Sequence, residues 1–226
     1  MIGITERGDA GLDTSWTAWV CDERKPAILI TKAPSRLVNM NLSDYNVIVH
    51  CTITGYGGTF MEPNVPSAEH EIQAYKHICK HLNVNRVVLR IDPIIPTKKG
   101  IKKALDVYQH RIEGGRVRIS FLDGYTHTRN RIIDATGYDL PWSGVHFPLK
   151  ERMALYEEHF SDCEICGEPG MPCIGCVSAK DCSILGVKPT TTLAGQRGAC
   201  HCLSLKKELL FHKGQCKHGC LYCYWK

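Results

Sequence analysis

Residues 86–96 read RVVLRIDPIIP. Val87, Val88, Leu89 and Ile91 are the branched, apolar side chains of a strand covered on both faces. Arg90 and Asp92 are two apart, so on a strand they project to the same side. Pro93 and Pro96 cannot donate to a ladder, and the strand is expected to stop after Ile91.

Working outward, the same texture recurs at Ala27–Thr31 (AILIT), Val47–Thr54 (VIVHCTIT) and Arg116–Leu122 (RVRISFL). Helical stripes lie between these runs. Ile72, Tyr75, Cys79 and Leu82 share one face, entered through Ser67 as N-cap with Glu69 and Glu71 in the first turn. Ile101, Leu105, Tyr108 and Ile112 form a second stripe, closed by Gly114 and Gly115, and residues 149–160 form a third. Strands alternating with helices predict an α/β fold on a parallel sheet, as a barrel, part-barrel or open sheet. No G-x-G-x-x-G turn follows any strand, which speaks against a doubly wound nucleotide-binding fold.

The 226 residues suffice for one sizeable core plus an appendage. No apolar run approaches a membrane span, and MIGITERGDAGLDTSW lacks a secretory pattern, so no membrane partner and a cytoplasmic location are expected. The formal charge of +5 is spread along the chain and demands no anionic partner.

Thirteen cysteines are anomalous, and only Cys21, Cys51 and Cys79 precede residue 160. Those three are expected as buried core thiols. An odd total without a signal peptide argues against a disulfide framework and for metal. Three segments are therefore expected: 1–160 an α/β domain, 161–202 a Cys-rich metal-binding region, and 203–226 a further thiol-bearing segment. Residues 161–200 are rich in Cys, Gly and Pro with little periodicity, so a metal is expected to organise them.

The chain ends GQCKHGCLYCYWK, placing Cys216, Cys220 and Cys223 at C-x3-C-x2-C spacing. Three thiolates can hold three irons of a [4Fe–4S] cube and leave the fourth open. S-adenosylmethionine (SAM) chemistry uses such an open iron, yielding a 5′-deoxyadenosyl radical. Zinc would want four ligands, commonly as paired C-x2-C knuckles, and fits the triplet poorly.

CKHGCLYCY resembles the cluster motif of radical SAM enzymes, C-x3-C-x-aromatic-C, with Tyr222 as the aromatic beside adenine. His218, Gly219 and Tyr224 resemble the version in spore photoproduct lyases. In most radical SAM enzymes the barrel follows the triplet, whereas here three residues follow it. Either the triplet is decoration or the barrel order is permuted. Upstream matches favour permutation: residues 30–35 resemble the "TK-small-P/S" segment of the photoproduct-lyase group, residues 52–54 with 62–67 its "EP-x-x-PS" region, and residues 90–96 its "R-x-DP-x-x-P" strand end.

The whole pattern is similar to the family catalogued as a domain of unknown function, DUF1848, through Gly55-Tyr56-Gly57, Glu62–Pro66, Arg90–Pro93, Ser120–Tyr125, Cys200, Cys202 and the triplet. The likeness spans roughly residues 25–226 and departs between Asp162 and Lys188. It implies a circularly permuted partial (β/α) barrel of radical SAM type, with the last segment closing the barrel. It implies an enzyme that binds a [4Fe–4S] cluster and SAM and abstracts a hydrogen atom, fed by a one-electron donor such as flavodoxin or ferredoxin.

By the same resemblance Lys32 and Thr52 hold the SAM carboxylate or ribose, and Tyr222 meets adenine. Arg90 and Asp92 either line the SAM pocket or form a buried structural pair. Gly55, Gly57 and Gly58 serve close approach to a ligand or plain turns. Glu62 and Asp123 are candidates for proton handling, ribose binding or capping.

Cys163-x2-Cys166 and Cys173-x2-Cys176 read as paired knuckles, with Cys182, Cys200 and Cys202 in reserve. Their occupant is a second [4Fe–4S] cluster or zinc, with the ligand set open. The alternative to an enzyme is a zinc-stabilised nucleic-acid-binding protein using Lys206, Lys207, His212, Lys213 and Lys217 against phosphates. The two readings merge if the substrate is a nucleic acid or nucleotide.

Overall fold

The computed structural model describes residues 1–195, 198–211 and 216–225; His212 and Lys213 lie outside the described residues. The elements in chain order are β1 (Ile2–Ile4), α1 (Thr17–Cys21), β2 (Ala27–Thr31), β3 (Val47–Thr52), α2 (Ala68–His81), β4 (Val87–Ile94) and α3 (Lys98–Tyr108). They continue with β5 (Arg116–Phe121), α4 (Thr126–Thr136), α5 (Leu149–His159), β6 (Glu164–Ile165), α6 (Ala179–Ile184) and β7 (Lys206–Glu208). Among the described residues the seven strands form one sheet in the order β6-β5-β4-β3-β2-β1-β7. Every pairing is parallel, and the sheet curls into a half-barrel.

Strand periodicity divides the core in two. Leu29, Val49, Leu89 and Ile119 face one way and pack with Ile72, Tyr75 and Ile78 of α2 and Ala104 and Val107 of α3. Ile28, Ile48 and Val88 face the other way and pack with Val177, Cys182, Leu185 and Leu203. With both faces covered, the central strands are apolar almost throughout, and each buried aliphatic contributes about 1.5–3 kcal/mol of transfer free energy.

β4 differs from the sequence expectation, because it runs through Pro93 to Ile94. The register to β5 shifts between Ile91 and Ile94. At such a bulge a proline costs the ladder nothing, since its missing N–H is not called upon.

Residues 161–202 also differ from expectation. β6 adds to the edge of β5, and α6 begins in a capping box formed by Ser178 and Asp181. Arg116 and Arg118 of β5 reach into this segment. Arg116 meets Glu164 at 3.0 Å and Asp181 at 2.7 Å, and Arg118 meets Glu164 at 2.6 Å. The two guanidiniums, opposing burial, hold the Glu164 carboxyl down at about 2. Strand pairing and this buried network tie the region to β5. The segments 1–160, 161–202 and 203–226 all give strands to the same sheet.

Candidate functional site

In a parallel sheet all carboxyl ends open on one edge, where ligands bind. That edge carries residues 6–9 after β1, Lys32 after β2, Thr52 at the end of β3 and Asp92 near the end of β4. Residues 216–225 lie across it without helix or strand. One cavity is lined by Cys216, Cys220 and Cys223 together with Lys32, Thr52, Arg90, Asp92 and Tyr222. The fold therefore gathers all eight residues, which span nearly the whole chain, at one place.

Four neighbours hold the thiol-bearing loop. Asp9, buried after β1, accepts from Thr31 Oγ1 (2.7 Å), the Lys32 N–H (2.6 Å), the Gly11 N–H (2.8 Å) and His218 Nε2 (2.8 Å). Burial alone would raise the Asp9 carboxyl, but the bond from His218 and the others outweigh it and hold it below the usual range. Asn64 donates from its side chain to the Lys217 carbonyl (2.8 Å) and from its backbone to that of His218 (3.2 Å). Gly219 follows with φ of +70°, and a Cβ there would meet Asn64 and Pro63 at 3.3 Å. From α4, Arg131 donates to the carbonyls of Leu221 (2.8 Å) and Cys223.

The fourth hold is Lys32. Its ammonium donates to Glu62 (2.8 Å), the Tyr222 hydroxyl (2.8 Å) and the Asp92 carbonyl (3.3 Å), while Tyr222 also donates to Glu62. Glu62 is buried and receives Thr54 Oγ1 at 2.8 Å as well. Burial disfavours the ammonium, yet Glu62 and the nearby Cys220 raise the Lys32 value, so it stays charged. All three of its protons are engaged within the protein, which makes Lys32 and Glu62 the anchor of Tyr222.

Arg90 and Asp92 form an ion pair, and Ser120 donates to Asp92. Both also line the cavity, so the structural and pocket readings describe the same pair. Two buried polar atoms at this wall have no hydrogen-bond partner, Thr52 Oγ1 and Arg90 Nε. A buried group left unpaired costs about 1–3 kcal/mol, so a polar ligand in the cavity has donors waiting for it. Burial pushes the Cys220 thiol up to about 12; Lys32 opposes this, while Glu62, Cys223 and Cys216 reinforce it. Among the described residues no three His, Cys, Asp or Glu side chains converge as the ligands of one metal ion. The donor set is three thiols from one short loop facing a shared cavity, which fits a cluster bound at three corners rather than a closed mononuclear shell.

The second cysteine group is redistributed. Cys163 and Cys166 flank β6, and residues three apart on a strand fall on opposite faces. Cys163 accordingly packs in the α2–α3 core and Cys166 on the other face, so the expected knuckle is split. Cys173 is engaged by the Glu168 backbone at 3.0 and 3.1 Å, and Cys182 is buried on α6. Cys166, Cys176 and Cys200 instead border one cavity, with Cys202 beside Cys176. Of the early cysteines, Cys51 is buried, Cys79 half-buried and Cys21 exposed; α1 buries Trp19 and Val20 and leaves its last residue, Cys21, outside the core.

Gly57 is a packing residue, since a Cβ there would sit 2.0 Å from the Pro66 carbonyl oxygen. Asp123 pairs with His146 at 2.7 Å. In the basic set, Lys206 is tied to Glu6 at 2.9 Å and Lys207 lies over the Trp19 ring. Asp9 and Arg131 escape sequence reasoning because nothing local marks them; Asn64 lies inside the EPN motif, where a docking role was open to inference.

The described residues thus form a parallel α/β half-barrel with a thiol triplet across its carboxyl edge. Residues 21–225 match the family described as Domain of unknown function (DUF1848), and the chain belongs to that family. No curated protein matches the chain. Among the described residues no helix is long and apolar enough to cross a membrane.

Proposed function

We propose that this protein is a radical SAM enzyme on a circularly permuted partial barrel. The observation that carries the reading is the single cavity shared by Cys216, Cys220, Cys223 and the strand-end residues Thr52, Arg90 and Asp92. The three thiols would hold a [4Fe–4S] cluster. When bound and reduced by an external flavodoxin- or ferredoxin-like donor, the cluster supplies the electron that cleaves SAM to methionine and a 5′-deoxyadenosyl radical, which abstracts hydrogen.

The chain's own residues have separable duties. Thr52 Oγ1, without a partner inside the protein, would bind a polar group of SAM. Asp92, fixed by Arg90 and Ser120, lines the same space. Tyr222, fixed by Lys32 and Glu62, offers an apolar ring to adenine. Asp9, Asn64 and Arg131 position the loop.

The test is anaerobic reconstitution with iron and sulfide, reduction with dithionite, addition of SAM and quantification of 5′-deoxyadenosine. The wild type forms it, and the Cys216→Ala/Cys220→Ala/Cys223→Ala variant forms none. A wild type that carries iron, is reduced and leaves SAM intact defeats the reading.

A further inference from the structure

We infer that Cys166, Cys176, Cys200 and Cys202 hold a second iron–sulfur cluster, bound on the inner face of the half-barrel. The four come from three separate stretches. Cys166 and Cys176 sulfurs lie 3.4 Å apart, and the Cys176 N–H donates to Cys202 Sγ at 3.1 Å. Cys200 borders the same cavity as Cys166 and Cys176.

Backbone geometry holds these stretches in place. The Leu203 N–H donates to the Val177 carbonyl at 3.0 Å, and Ala194 donates to the Cys202 carbonyl at 2.8 Å. Gly175, with φ of +70°, lets the strands of the loop touch: a Cβ there would lie 2.6 Å from the Cys202 nitrogen. Only glycine meets both demands at that point.

A second, independent feature points to a missing acceptor. His50 of β3 has both ring nitrogens buried without a partner, and Arg118 Nη1 of β5 is in the same position, as is Arg90 Nε. All three side chains project from the inner face, the register placing His50 beside Val88 and Arg90 beside Arg118. Arg90 borders the same cavity as Cys166, Cys176 and Cys200, and Arg118 is its register neighbour on β5. Unmet buried donors beside four thiols are suited to the sulfides and thiolates of an anionic cluster, whose charge the two guanidiniums offset.

Space favours a cluster over one ion. Sulfurs as close as those of Cys166 and Cys176 can share one metal atom, a zinc or one iron of a cluster, but a single zinc needs no room beside its sulfurs. Here Cys166, Cys176 and Cys200 border a cavity of about 230 Å³ whose far wall includes Tyr222 and Cys223. A molecule in that cavity would touch both thiol sets.

The inference stands apart from SAM cleavage, and the test separates them. The Cys216→Ala/Cys220→Ala/Cys223→Ala protein is reconstituted anaerobically with ferrous iron and sulfide, and iron, labile sulfide and zinc are measured per chain. It should retain iron and labile sulfide in equal amounts, about two of each per chain where Cys166 and Cys176 share one iron and about four for a thiolate-held cube. Adding Cys200→Ser should abolish them, whereas adding Cys163→Ala or Cys182→Ala should not. Cys200 is only half-buried, so its variant is expected to fold, checked by circular dichroism. An iron-free triple variant, iron retained after Cys200→Ser, or one zinc in place of iron overturns the inference. Iron lost from the triple variant alone would leave the Proposed function intact; SAM left uncleaved with this cluster present would do the reverse.

Discussion

Residues 161–202 and residues 216–225 both bring thiols to one cavity, but they are held there by different forces. The first segment is built into the fold by β6, α6 and a network of two arginines and two acids at the sheet's inner face. The second has no helix or strand, and rests on side chains reaching its backbone: Asn64, Arg131 and the His218–Asp9 contact. The difference teaches that a thiol-rich stretch can be tied into a sheet by strand pairing and buried charge pairs. Ordering by strand pairing and buried charge gives rigidity, while ordering by a few side-chain bonds, without strand or helix, leaves a loop whose geometry a bound group can tighten.

The largest effect should come from breaking the rigid half. Arg118→Met leaves Glu164 and Asp181 with half their compensation, and uncompensated buried charge costs about 3–5 kcal/mol. Urea unfolding should show that loss, whereas a drop under about 1 kcal/mol would mean the network is dispensable. Acid should act on the same half. Glu164 has a folded value of about 2 against an ordinary 4.5. Its stabilisation is therefore present above pH about 4.5 and lost as pH falls towards 2, worth about 3 kcal/mol in all. Glu164→Gln should flatten the slope of unfolding free energy across that window; an unchanged slope would contradict the assignment.

The smallest effect belongs to the loop. Asn64→Ala removes one exposed hydrogen bond, worth about 1 kcal/mol. Global unfolding should barely move, while amide exchange at residues 217–223 should quicken. Equal quickening across α6 would erase the contrast between the two regions.

Much of the fold was legible because its central strands and first helices obey simple periods. β2 to β5, α2, α3 and α5 show dense branched runs or apolar stripes, and Ser67 does cap α2, accepting from the His70 N–H. β1, β6 and β7 are two or three residues long, too short for a period to register. α4 reads THTRNRIIDAT, with low-propensity Thr, Asn and Asp and Ile132 as its buried apolar anchor. The triplet and its strand-end companions were legible from spacing and placement. The regrouping of Cys166 with Cys176, Cys200 and Cys202 was not, because C-x2-C spacing says nothing about a strand passing between the two thiols. Nor could the sequence reveal that Lys32 is spent on Glu62 and Tyr222, a contact spanning 190 positions.

The most direct test of the central claim is electron paramagnetic resonance of the reduced Cys166→Ala/Cys176→Ala protein, recorded before and after SAM is added. The account predicts a [4Fe–4S]⁺ signal that shifts on adding SAM and vanishes when Cys220→Ala is introduced. A signal indifferent to SAM, or one that survives without Cys220, would contradict it.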